Sequence, residues 1–477
     1  MTMATKAIKA AAAPAAKAAA RKTAPAKKKP AGKATPAERG GLRVRMYRVG
    51  FGDFFLMTVP TRHGPRHVLI DCGVHAGNIR SMPACVKDLA ELTGRKLALV
   101  IVTHYHADHL SGFTTQAAEF EQFEVEAVWI TNRLDPKNGG AMKIKTQIHA
   151  LATHLRLQLA ARQDLDGAQA LAMAENALGV AGGSNDRAMA LVTRGFRNSP
   201  PVHYYEAGDT AELPPSLRGA LTVQILGPAP KGAAADFTAS DNKAEQYLAA
   251  VDEQGLPSAE GFEPFDRRWP ATAADYPPEA FRPWASPTLM EQALHAVQPD
   301  VLAAAAKAID GTLNNQSLVV LFTCKSKKLL FVGDAQWGNW AHWLYGKPVK
   351  GADPGISAEA RRILASIDFY KVGHHGSTNA TPIPAVGALS MRCVAMCSTE
   401  TGFPSAKRTY GSIEKQTEVP RIPLMEALEK QTGKKLVRSD WLATTFAKAS
   451  PEARKQLDRL PPDFETGDIF IEYVFPD

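Results

Sequence analysis

Thr103-His104-Tyr105-His106-Ala107-Asp108-His109 packs three imidazoles and a carboxylate into seven residues. It follows residues 97–102, a fully apolar run that reads as a buried strand. Buried without a purpose, each of these polar side chains would need its own hydrogen-bond partner. As metal ligands they make sense, because imidazole and carboxylate suit zinc, manganese or iron. The tight spacing lets one loop send His104 and His106 to one ion and Asp108 and His109 to a second.

Strands and helices alternate on either side of this loop. Leu42, Val44 and Met46 alternate with Arg43, Arg45 and Tyr47, the period of a strand, and residues 54–59 and 67–71 read as two more. A helix is expected over 79–93 and a strand over 125–130. Residues 141–195 carry helical spacing with a Gly-Gly break at 182–183, and 221–226 return to strand. The Pro-, Ala- and Asp-rich stretch 229–287 reads as a lid or loop. Its aromatics, Phe262 to Trp284, supply either a local core, the favoured reading, or stacking faces. A helix over 288–309, a hairpin over 318–332, a helix over 356–366 and strands at 367–372, 391–397 and 469–475 follow, with a helix at 422–433. This order predicts an α+β fold of two layered sheets covered by helices.

Two further strand ends carry chemistry. Phe331-Val332-Gly333-Asp334 places a carboxylate after an apolar strand, and Lys371-Val372-Gly373-His374-His375-Gly376-Ser377 places two imidazoles after another. A carboxylate shared between two ions and one histidine on the second would complete a binuclear centre, with the choice between His374 and His375 left open. Asp71, in Leu69-Ile70-Asp71-Cys72-Gly73, is expected either to orient the histidine loop by hydrogen bonds or to form a turn. Lys371, Ser377 and Thr378 lie close enough in sequence to contact an anionic group.

The Thr-His-x-His-x-Asp-His run resembles the metal signature of the metallo-β-lactamase superfamily. Five further segments are similar, in order, to the extracytoplasmic hydrolase domain of the ComEC family of DNA-uptake proteins: Val49-Gly50-Phe51-Gly52-Asp53, Leu69 to Gly73, Asn314 to Val319, Phe331 to Ala335 and Lys371 to Ser377. Val437-Arg438-Ser439-Asp440 resembles that family's C-terminal Arg-Thr-Asp segment. The resemblance runs from about residue 41 to the end, interrupted by an insertion at about 140–310. It implies an αββα sandwich, two metal ions, zinc first and manganese second, and hydrolysis by a metal-bound hydroxide, with Asp108 orienting it. The implied ligands are His104, His106, Asp108, His109, Asp334 and one of His374 and His375. The pattern departs at Arg48 and Phe51, where the family has aspartate and glutamine. Asn314 and Asn315 stand where many superfamily members carry a further histidine for the first ion, leaving that ion either short of a ligand or dependent on the insertion. ComEC's membrane segments have no counterpart, so a role in DNA uptake does not transfer.

The net charge of +8 is a property of residues 1–40, which hold ten Lys or Arg and one acid; the other 437 residues net to −1. That Ala/Lys/Pro-rich tail cannot bury an apolar core and is expected to be disordered, either a spacer or an arm for nucleic-acid phosphates. It lacks the apolar stretch of a secretory signal. Five cysteines argue against a disulfide framework, and Cys393 and Cys397 read as packing residues. No stretch approaches membrane-spanning length, so no membrane partner and a cytoplasmic location are expected. The expected activity is a phosphodiesterase, first of all a nuclease, with the tail holding nucleic acid near. The alternatives are a hydrolase of small esters, lactones or phosphate esters, and a metal-stabilised binding protein without catalysis.

Overall fold

The computed structural model describes residues 41–75, 81–160, 165–179, 184–230, 246, 299–346, 355–400, 419–442 and 464–476. The basic tail, the Gly-Gly break and the aromatics of the proposed lid lie outside the described residues.

Strand β4 (Lys96–Val102) shows why the apolar run has no polar face. Val100 and Val102 face one hydrophobic cluster while Leu99 and Ile101 face another. Both faces are buried because β4 lies inside an eight-stranded sheet. In order across it, the strands are β13 (Phe464–Thr466), β14 (Phe470–Val474), β1 (Arg43–Tyr47), β2 (Phe54–Thr61), β3 (Gly64–Cys72), β4, β5 (Glu124–Thr131) and β6 (Val202–Tyr205). A six-stranded sheet packs against it: β12 (Leu436–Arg438), β11 (Val394–Cys397), β10 (Phe369–Lys371), β9 (Lys327–Phe331), β8 (Val319–Cys324) and β7 (Thr222–Gly227). Between the sheets Phe55 meets Phe331 edge-on and Trp129 stacks over Phe322, each pair 6.3 Å apart. Each such buried side chain contributes roughly 1.5–3 kcal/mol.

Helices cover the outer faces. On the first sheet α1 (Met82–Thr93) presents Cys85, Val86 and Leu89, and α2 (Ala107–Thr115) presents Leu110 and Phe113. The expected helical stretch 141–195 yields three helices, α4 (Gly139–Leu159), α5 (Leu165–Leu178) and α6 (Asn185–Arg194), after the short α3 (Ala117–Phe120). Of the helix expected over 288–309, residues 288–298 lie outside the described residues and the rest is seen in α7 (Pro299–Asn315), which runs further because Ile309 and Leu313 still face the core. On the second sheet, α8 (Trp337–Tyr345), α9 (Ala358–Ala365), α10 (Ile383–Ala388) and α11 (Ile422–Gln431) bring Trp340, Leu364, Val386 and Leu428 onto Leu330 and Tyr370. The insertion is thus no appendage, since β6 extends one sheet and β7 the other.

The alternation in β1 does not mark a solvent face. Arg45 is 2% exposed, with its Nε 2.9 Å from Glu472 Oε1 on β14 and a terminal nitrogen 2.6 Å from Asp88 on α1. Removing one member of such a buried set leaves a charge without its compensation. Glu472→Ala is therefore expected to lower the unfolding free energy by about 3 kcal/mol. Equilibrium denaturation would check this, and a change below about 0.5 kcal/mol would refute it.

Parallel strands β3, β4, β9 and β10 end at one edge of the sandwich. The end of β3 carries Asp71, and the turns after β4, β9 and β10 carry the histidine loop, Asp334 and His374/His375.

Candidate metal centre

The histidine loop is shaped from both ends. At its start, Asp71 Oδ1 accepts from the Thr103 backbone N–H (2.8 Å) and Oδ2 from the Thr103 hydroxyl (2.7 Å). At its end, α2 begins at Ala107, so Asp108 and His109 sit in a first helical turn whose dipole favours negative charge. Asp108's backbone N–H donates to Asn176 Oδ1 on α5 (3.1 Å), and Asn185 on α6 donates to the Tyr105 carbonyl (2.8 Å). Gly73 allows the neighbouring loop to touch this turn, for a Cβ there would overlap the Asp108 carbonyl carbon and the His109 nitrogen. Gly73→Ala is expected to weaken metal binding by about tenfold by shifting both ligands. Isothermal titration of the variant would test this, and wild-type affinity would contradict it.

The candidate ligands converge. His104, Asp108, His109 and Asp334 each offer an atom within 4.8 Å of the others, and all four are buried. His104 Nε2 lies 3.0 Å from His106 Nδ1. Asp334 Oδ2 lies 3.1 Å from His109 Nε2 and 3.3 Å from His375 Nε2. The two adjacent histidines point in different directions. His375 points inward, its Nε2 3.0 Å from Asp108 Oδ2 and its Nδ1 2.8 Å from the Ser398 carbonyl. His374 turns away, with Nδ1 2.6 Å from Ser377 Oγ and Nε2 3.2 Å from Asn314 Nδ2. Both residues adopt left-handed backbone (φ 41° and 51°), which separates their side chains.

These residues fit a divalent metal. Asp108 Oδ1, His109 Nε2, Asp334 Oδ2 and His106 Nε2 are buried side-chain atoms without a hydrogen-bond partner. Such groups are costly unless something else satisfies them. Three of the four crowd together in the cluster of His104, Asp108, His109 and Asp334, where lone pairs meet at distances suited to a shared cation.

The electrostatics agree. Burial pulls the His109 pKa down, but Asp334, Asp71, Asp108 and Asp53 outweigh it and hold it well above the usual imidazole value. His375 is likewise held up at about 10, against burial, chiefly by Asp334 and Asp108. Burial, with His109 and His106 alongside, pushes His104 well down. Asp108 and Asp334, although buried, are held below the usual carboxylate range, by His109 and His375 in both cases. Burial lifts Asp310 to about 6.

Two expected site residues and one departure from the resembled pattern have particular placements. Asp71 accepts from His109 Nδ1 (2.8 Å) as well as Thr103, orienting a ligand rather than facing the open centre. The Lys371 ammonium is buried, in contact with Asp53, 2.7 Å from the Gly333 carbonyl and 3.3 Å from Asp334 Oδ1, so it is an internal counter-ion and not an exposed anion contact. Phe51, at the glutamine position of the resembled family, packs its ring 4.3 Å from that of His375. Residues that the sequence did not single out as part of the site are Asp53, Asn176, Asn185, Asp310 and Ser398. Asp53 sat inside a quoted motif. The others are single polar residues with no local pattern to mark them.

The two-sheet sandwich with metal-type residues at the strand ends is the metallo-β-lactamase fold. Residues 48–117, which include the whole histidine loop, match the family model "Metallo-beta-lactamase superfamily". No curated protein matches the chain. Among solved structures, the metallo-β-lactamase fold protein YhfI from Bacillus subtilis is 10% identical, with 83% of this chain and 95% of that one covered at a TM-score of 0.26. No helix among the described residues is long and apolar enough to cross a membrane.

Proposed function

We propose that this chain is a binuclear metal-dependent hydrolase of phosphodiesters. The observation that carries the reading is the Asp334 carboxylate, whose unpartnered Oδ2 sits 3.1 Å and 3.3 Å from two imidazole nitrogens. A carboxylate so placed can serve both ions, with His104 and His106 holding one and Asp108, His109 and His375 the other. Charge supports bound cations. Asp53, Asp71, Asp108, Asp310 and Asp334 face one ammonium, Lys371, all of them buried. With the imidazoles neutral, as metal ligands would be, these carboxylates would outnumber the one ammonium and leave negative charge for cations to offset.

Two bound divalent ions would activate water at neutral pH and stabilise the attacking and leaving oxygens of an in-line displacement. The protein's own residues prepare that chemistry. Asp71 and the Ser398 carbonyl take the Nδ1–H of His109 and His375, so each presents Nε2 inward. Asp108 Oδ1, a buried atom without a hydrogen-bond partner, would be available to orient the attacking water. Lys371 holds Asp334 Oδ1, leaving Oδ2 for the ions. Imidazole and carboxylate donors suit zinc first and manganese second.

The ordered resemblance to the ComEC hydrolase domain supports a nucleic-acid substrate, as do the ten basic residues of the tail. The five cysteines, all buried, suit a reducing, cytoplasmic setting. The test is cleavage of labelled single- and double-stranded DNA and RNA beside bis(p-nitrophenyl) phosphate, with Zn²⁺ or Mn²⁺. An Asp108→Ala/His109→Ala variant and a chain starting at Gly41 run alongside. Polymer cleavage that the double variant lacks supports a nuclease. Cleavage of the small diester alone redirects the reading to compact phosphate esters. Bound metal with no turnover of any substrate refutes hydrolysis and leaves a metal-stabilised binding protein.

A further inference from the structure

Each candidate histidine ligand except one has a partner on the ring nitrogen that faces away from the centre. His109 Nδ1 has Asp71 at 2.8 Å, His375 Nδ1 has the Ser398 carbonyl at 2.8 Å, and His104 Nδ1 has the Thr103 hydroxyl at 3.1 Å. Such outer partners fix the tautomer and the ring direction and strengthen the ligand. His106 is the exception. Its Nδ1 faces His104 Nε2 at 3.0 Å, while its Nε2 is fully buried with no hydrogen-bond partner.

The polar atom opposite that nitrogen belongs to the insertion. Asp310, on α7, places Oδ1 3.9 Å from His106 Nε2. Its other oxygen, Oδ2, accepts from Asn314 Nδ2 at 3.0 Å, one helical turn further on. Asn314 therefore steadies one oxygen of the carboxylate and leaves the other facing His106.

The geometry points to Asp310 as the positioning residue of His106, taking its Nε2–H and presenting Nδ1 to the first ion. This inference rests on the metal-centre reading. At 3.9 Å the two atoms stand just beyond hydrogen-bond distance, and a metal on Nδ1 would fix the ring tautomer that favours their closing. Sequence position hid this role, because Asp310 lies 204 residues after His106 in a segment that resembles nothing quoted from the family.

Cobalt and zinc titrations of the full chain test the inference, followed by calorimetry and by the visible d–d bands of Co²⁺. Asp310→Asn should weaken one of the two ions by about 10- to 100-fold while two ions still bind at saturation with unchanged band intensity. Asp310→Glu should recover most of the loss. Unchanged affinities in Asp310→Asn would overturn the inference. So would a site that stays empty at saturation with altered bands, since Asp310 would then be a ligand. Wild-type protein that takes up no ion would sink the metal-centre reading itself, an outcome distinct from either. An independent measurement needs no variant. Long-range ¹⁵N–¹H spectra of the zinc-loaded protein should show His106 protonated on Nε2, and protonation on Nδ1 would overturn the inference even if Asp310→Asn failed to fold.

Discussion

Asp334→Ala is expected to lower phosphodiester turnover by well over 100-fold and to leave fewer than two ions per chain. Outer-shell partners of a metal site typically cost about 10- to 100-fold when removed, and Asp334 stands closer to the chemistry than any of them. Its Oδ2 approaches both His109 and His375, and its Oδ1 meets the Lys371 ammonium. Alanine would leave that buried ammonium with less compensating charge and strip the shared oxygen from both ions. Elemental analysis of the purified variant beside steady-state kinetics would check both halves. Two tightly held ions with near-normal turnover would show that the carboxylate is not shared. Asp334→Asn separates shape from charge. It keeps the volume, and its loss of activity should approach that of alanine.

Removing metal is expected to abolish activity and to lower the melting temperature, by an amount that grows with pH. Ions that bind only the folded chain stabilise it by about 4 kcal/mol at a thousandfold excess over Kd. The direction with pH follows from the imidazoles. Without metal, His375 holds its proton to about pH 10, against an ordinary value of 6.5. A group whose pKa is raised on folding lends stability that is fully present below its unfolded pKa and is lost as pH rises through the folded one. The metal-free protein should therefore weaken between about pH 6.5 and 10, while the loaded one, with protons already displaced, should not. The depressed carboxylates Asp108 and Asp334 act oppositely, lending stability above their ordinary value of 3.8 that is lost as pH falls. Binding must also release the protons of His109 and His375, so affinity should rise with pH and calorimetry in two buffers should detect the release. Melting curves with and without chelator at pH 6.5 and 9 would test the argument. A gap that shrinks with pH would contradict it.

What was legible in the sequence was local. The histidine loop compresses its ligands into seven consecutive positions after a uniformly apolar strand, so one inspection finds both the strand and the site. Asp334 and the His374/His375 pair were found because each follows a strand with a glycine before it. Which histidine faces inward was not legible, since the choice depends on left-handed backbone at both positions and on the Ser398 carbonyl 23 residues away. Asp310 looks like an ordinary acid on a helix until α7 is placed against the loop. Asn176 and Asn185 carry no motif at all, yet they hold the loop's backbone from α5 and α6. The insertion, which interrupts the family resemblance, supplies β6 and β7 to the two sheets. Helical periodicity predicted its helices but could not say which face they would cover.

The pairing of β14 with β1 joins residue 43 to residue 474 across one sheet. That sheet can close only after two segments more than 400 residues apart have both been made. The ligand residues emerge in two instalments, the histidine loop early and His375 more than 260 residues later. A nascent chain held at its midpoint offers a cation only half a cage, exposed and without the bracing of Ser398. The two halves of the candidate centre are therefore brought together only by the folding of segments far apart along the chain.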